Sequence, residues 1–305
     1  MDTFSACVPR LMPRHEAFIS GRRSCKGCGK ALSARIATKA ISASQSTSKT
    51  LPLQASLNYD GYAYDPLSFD AGIEQHFATA EFIDSTCAKK NGAQHTTIKK
   101  VALCISRQVF LDDYLAHARV SLGQKHALYI CFDNEPYINE LIHTAGPQPF
   151  NLNETPFAVS DAHIKKIIHE KNIPPGISEE GFTYIATACP SYPSDFIKKI
   201  HKGAELPGNA FILVLTPCPT GWISPPRLAH KVGLSAVQTG YFPLYEKNNG
   251  DLRITEFLPQ RRPLQEFLAL QKRFFTFPPQ LIDSLQEAVD SFYDELTKMH
   301  IQNKA

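Results

Sequence analysis

Acidic residues are almost missing from the first 58 positions of this chain. Only Asp2 and Glu16 occur there, among many Ser and Arg. Transit peptides share that bias, but Cys25 and Cys28 sit three positions apart inside the stretch and argue for folded structure. Long apolar runs are missing too. None approaches the ~20 residues that cross a bilayer, and the N-terminus shows no apolar signal-peptide core, so no membrane association is expected. A strong charge balance is also absent. The net charge of +3, with 32 Lys and Arg against 29 Asp and Glu, is too weak to argue for nucleic acid. The basic stretches 163–172 and 196–203 read as amphipathic helices with their lysines on the wet face. Of the eight cysteines, Cys104 and Cys131 lie inside apolar runs and read as small core residues. A reducing, cytoplasmic setting is expected.

What is present is an alternation of short apolar runs and helical patterns. Residues 99–106 and 126–134 read as buried strands flanking a helix at 109–124, a βαβ unit. The pattern repeats as strand 184–190, helix 193–203 and strand 209–219. Helices are expected at 31–41, with Ala31, Leu32, Ile36 and Ala40 near 3.6 spacing, at 74–92, and from Pro225 to Gly240. Residues 244–255 read as a hairpin turning at Asn249-Gly250. "PLQEFLALQKRFFTF" (263–277) and the segment 279–299 read as two amphipathic helices. The class is α/β, with a mainly parallel sheet flanked by helices. In such sheets ligands bind beyond the carboxyl ends of the strands. Here those ends carry "ISRQ" (105–108), "DNEPYIN" (133–139), "CPSYP" (189–193) and "TPCPTGW" (216–222).

"SCKGCGKALSARIATKAI" (24–41), "LYICFDNEPYIN" (128–139), "TPCPTGW" and "VQTGYFPLYEKNNGDLRIT" (237–255) stand in the order and spacing of one family. The chain resembles, over residues 20–290, the β subunit of pyruvate:ferredoxin oxidoreductase and related 2-oxoacid:ferredoxin oxidoreductases. The resemblance implies a thiamine-diphosphate-binding fold. Residues 1–20, with Pro9 and Pro13, read as an irregular N-terminal arm; the binding domain would span 21–245, with the hairpin and C-terminal helices packed on it (246–305). The resemblance also implies bound thiamine diphosphate, Mg²⁺ and a [4Fe–4S] cluster. An α-type partner subunit would activate the cofactor, and a ferredoxin-like acceptor would take the electrons. By position, Asp133, Asn134 and Pro136 belong to the cofactor site. Asn139 is the catalytic amide, and Cys25, Cys28 and Cys218 are cluster ligands.

The chain also departs from the family. At the place of the family's Gly-Asp-Gly stand Ile105, Ser106 and Arg107. Ser106 is neutral where a hard dication wants a carboxylate, leaving Mg²⁺ with poor ligands. Arg107 admits a metal-free grip on phosphate oxygens, because a guanidinium binds them bidentately. The family's fourth cluster cysteine has no counterpart in residues 42–66. The three remaining thiols are open to three readings: a cluster completed from elsewhere, a zinc site, or buried thiols without metal. Glu140 puts negative charge near a site meant for an anionic 2-oxoacid, and His143 replaces an amide side chain. Two functions remain open: a divergent catalytic β subunit, and a non-catalytic β-like scaffold that keeps fold and interfaces.

Overall fold

The computed structural model describes residues 25–45, 77–81, 100–104, 127–145, 159–172 and 181–303. Ser106, Arg107, Cys87, the helix expected at 109–124 and most of the loop 42–66 lie outside the described residues. Helix α1 (Gly29–Gln45) follows the paired cysteines and is longer than its sequence pattern suggested. Strands β1 (Phe77–Glu81), β2 (Lys100–Cys104) and β3 (Ala127–Asp133) come next. Helices α2 (Pro136–Ala145) and α3 (Asp161–Asn172) lead to β4 (Phe182–Ala188). Then follow α4 (Pro193–Glu205), β5 (Asn209–Leu215) and α5 (Ala229–Gln238). The hairpin β6 (Tyr245–Asn248) and β7 (Asp251–Ile254), the short α6 (Gln265–Leu268) and the long α7 (Pro279–Gln302) complete the order.

The seven strands form one sheet in the order β1-β2-β3-β5-β4-β6-β7. The central pairs β2–β3, β3–β5 and β5–β4 are parallel; β1, β6 and β7 run antiparallel at the edges. Every residue of β5 ("NAFILVL") is buried, as a strand covered on both faces requires. Alternation along β3 and β5 divides the core. Leu128, Ile130, Phe132, Ile212 and Val214 pack with α1 and α4. Tyr129, Cys131, Phe211 and Leu213 pack with α2, α3, α5, α6 and α7. The hairpin turns through Asn249 (φ 47°) and Gly250 (φ 100°), the left-handed pair that matches the twist of its strands. Among the described residues, no helix is long and apolar enough to cross a membrane.

Four expectations need correcting. Residues 77–81, inside the expected helix 74–92, form edge strand β1 because they pair along their whole length with β2. The expected helix 263–277 breaks into α6 and a 3₁₀ turn at Lys272–Phe274, because Gln271 adopts an extended conformation (φ −133°, ψ 116°). Helix α1 buries Ser33, Ala34, Ile36, Ala37 and Ala40, whereas Leu32 is exposed. Finally, Lys171 and Lys199 are buried rather than wet. Lys199 donates to the Thr187 carbonyl at 2.8 Å, Asp195 at 2.7 Å and the Thr255 hydroxyl at 2.8 Å.

Candidate active site

Strands β3 and β5 end side by side, with Asp133 opposite Leu215. Thr216 ties the two exits together. Its N–H and its hydroxyl donate to the Asp133 carbonyl at 2.7 and 2.8 Å. The Asp133 carboxylate is buried and turned into its own turn. One oxygen accepts the Glu135 N–H at 2.7 Å, the other the Tyr137 hydroxyl at 2.9 Å. Pro136 then opens α2, where a missing N–H does no harm.

Glu135 has φ 56°, a left-handed conformation that costs a residue with a side chain about 1–2 kcal/mol. Its carboxylate holds it there. Fully buried, it accepts from Lys171 Nζ at 3.0 Å on one oxygen, and from Arg273 Nη2 at 2.8 Å and the Tyr241 hydroxyl at 3.2 Å on the other. Burial alone would push this carboxyl up, but the Lys171 ammonium and Arg273 guanidinium outweigh it and hold the group below the usual carboxylate range. The Lys171 ammonium also lies 3.7 Å from the centre of the Tyr241 ring.

Arg273 joins this acid to Asn139. Its Nε donates to Gln271 at 2.8 Å and its Nη1 to Asn139 Oδ1 at 3.2 Å. Its guanidinium stacks 4.2 Å over Trp222. The Trp222 indole N–H donates to the Asn134 carbonyl at 2.8 Å. Asn139 in turn donates its Nδ2–H to the Gly221 carbonyl at 3.1 Å. The turn after β3, the loop after β5 and the turn after α6 thus hold one another through polar contacts.

The cysteine turn docks on the same loop. Gly29 N–H donates to the Pro217 carbonyl at 3.0 Å. A Cβ on Gly29 would lie 2.5 Å from that oxygen, and one on Gly27 (φ 73°) would lie 2.7 Å from the Pro226 carbonyl, so only glycine permits the approach. Cys218 Sγ accepts the Gly221 N–H at 3.3 Å. Cys28 Sγ caps α1, accepting from Lys30 and Ala31; burial nevertheless pushes its thiol pKa up. Cys25 is exposed, whereas Cys28 and Cys218 are half-buried. Gly221 lies between the two parts of the site. A Cβ there would be 3.3 Å from Cys218 Sγ and 3.6 Å from Asn139 Nδ2.

Backbone N–H bonds to sulfur suit a thiolate, so the donor chemistry of Cys28 and Cys218 fits a thiophilic metal or cluster. Closure is incomplete: among the described residues no three His, Cys, Asp or Glu side chains are gathered closely enough to hold a metal ion. Mg²⁺ fits poorly. Both Asp133 oxygens already hold donors of this chain, and neutral Asn134 and Pro136 make a weak hard-cation site.

The structure therefore brings Asp133, Asn134, Pro136, Asn139, Cys28 and Cys218 to one rim, with Cys25 at its edge. Ser106 and Arg107 lie outside the described residues. Glu140 and His143 are exposed on α2. Sequence reasoning missed Lys171, Arg273, Tyr241 and the role of Trp222. The one available signal was the single tryptophan beside the Pro-Cys-Pro loop.

No protein-family model matches the chain. Individual proteins do. The pyruvate synthase subunit PorB of Methanocaldococcus jannaschii is 32% identical over 284 residues, covering 91% of this chain and 95% of that protein. PorB of Methanothermobacter thermautotrophicus is 32% identical over 292 residues, covering 93% and 99%. The ketoisovalerate oxidoreductase subunit VorB of Pyrococcus abyssi is 30% identical over 303 residues, covering 94% of each. At 30–32% identity over more than nine-tenths of its length, the chain belongs to the family of β subunits of 2-oxoacid:ferredoxin oxidoreductases.

Proposed function

We propose that this chain is a catalytic, thiamine-diphosphate-binding β subunit that works with an α-type partner. The assembly decarboxylates pyruvate or a related 2-oxoacid oxidatively and passes the electrons to a ferredoxin-like acceptor. The observation that carries this reading is the fixed amide of Asn139, held at both ends beside the Cys218 loop. A chain kept only as a scaffold needs the contacts that tie these loops together, but not the second amide N–H they leave over.

Thiamine diphosphate, when bound, supplies the carbon nucleophile and the electron sink. The protein's part is positioning. Asn134 and Pro136 would be the residues of this turn that hold the cofactor's diphosphate end. Asn139 donates an N–H to the substrate carbonyl as negative charge develops there, and its fixed geometry means nothing reorganises at that moment. Arg107, next to Ser106 in the sequence, would grip the diphosphate oxygens in place of the missing metal ligand. Cys28 and Cys218 would hold an iron–sulfur cluster once exposed Cys25 is drawn in from the rim, with a fourth ligand from elsewhere.

Anaerobic purification together with the α-type partner tests the reading. Iron and thiamine diphosphate in stoichiometric amounts, with 2-oxoacid-dependent reduction of ferredoxin, are expected. A complex that forms without either cofactor and without turnover would overturn it in favour of the scaffold. Diphosphate binding should survive a chelator and fail in Arg107→Ala; binding abolished by chelator alone would remove the metal-free grip.

A further inference from the structure

Asn139 has an amide with two chemically different edges, and two neighbours decide which edge faces where. Arg273 carries donors only, so the atom 3.2 Å from its Nη1 must be the amide oxygen. The Gly221 carbonyl is an acceptor only, so the atom 3.1 Å from it must be the amide nitrogen. A flipped amide would oppose donor to donor and acceptor to acceptor. One N–H of Nδ2 remains for a ligand.

Arg273 can impose this because it is itself immobilised. Three nitrogens of one planar group meet three different acceptors: Gln271, Asn139 and Glu135. Trp222 covers one face at 4.2 Å. The Arg273 side chain is 3% exposed and that of Glu135 is 0%, so water does not compete for the ion pair that anchors the guanidinium. A guanidinium also draws electron density from the amide oxygen and makes the remaining N–H a stronger donor, as linked hydrogen bonds polarise one another. Lysine could keep the charge beside Glu135, but its single nitrogen cannot reproduce the fork.

We infer that Arg273 is a positioning residue: it locks Asn139 so that the amide offers the active site an N–H. This rests on the catalytic reading of Asn139 above. The experiment separates the two. In the full chain, the Asn139 side-chain amide resonance is assigned by its loss in Asn139→Asp. Arg273→Lys should shift that resonance and speed its hydrogen exchange about tenfold or more. An unchanged resonance and exchange rate would overturn the inference, whatever the enzyme does.

In the cofactor-loaded complex with the partner subunit, Arg273→Lys should lower kcat about 10–100-fold with KM nearly unchanged, below the 10²–10³ of losing such a donor outright. In an Asn139→Ala background the same substitution should have little further effect. Additive losses would mean that Arg273 acts through the fold alone and would overturn the inference. A wild-type complex without turnover would instead sink the catalytic reading, and the amide measurement would still judge the lock. If Arg273→Lys does not fold, Arg273→Met replaces it, because Lys171 and Tyr241 still satisfy Glu135.

Discussion

Glycine at position 29 decides how close the cysteine turn comes to the loop carrying Cys218. A methyl group there meets the Pro217 carbonyl at 2.5 Å, so Gly29→Ala must push the two loops apart. Iron content of the purified complex should fall by more than half, while helix content by circular dichroism is kept. Glu135 gives a second test at this scale. Its carboxyl is held below an ordinary glutamate's value of about 4.3, so the stability it contributes is complete above that pH. It is lost as pH falls through the lower folded-state value. Urea unfolding from pH 7 down to 3 should show this loss. Glu135→Gln should be less stable by about 3–5 kcal/mol at pH 7, because it strands two buried cations, and should flatten the acid slope.

Elements show where sequence and structure part. The central strands and the Asn249-Gly250 hairpin were legible because apolar runs and turn residues act locally. The edge strand β1 was not, since "FATAE" gains its conformation only by pairing with β2. The lysines of α3 and α4 misled for a related reason. A Lys at the end of a helical pattern looks solvated until a buried acid is placed opposite it, as Glu135 is for Lys171. For α4 the partners are Asp195 and the Thr187 carbonyl. Lys199→Met fills the space but takes the ammonium away from both, and should lower stability by about 1–3 kcal/mol, read as a lower urea midpoint at constant slope. The break at Gln271 was invisible because "LQKRF" has no helix breaker. Its cause is tertiary, with Arg273 drawn inward to Glu135.

At the scale of the whole molecule, the sheet sets strand exits side by side, and the site forms where β3 and β5 end. Asp133, Asn134, Asn139 and Cys218 could be placed at strand exits from sequence because the turns that carry them are short. Arg273, Lys171 and Tyr241 could not, because their roles exist only once distant segments have packed. Synthesis, by contrast, is vectorial. Glu135 and Asn139 leave the ribosome 138 and 134 residues ahead of Arg273. During that interval the acid lacks one of its two cations and the amide can turn either way. A nascent chain therefore has its cysteines in hand long before it has a finished pocket. On the proposed function, loading of cofactors belongs after residue 273 has emerged, and a factor that delivers them should ignore ribosome-bound chains that stop short of it.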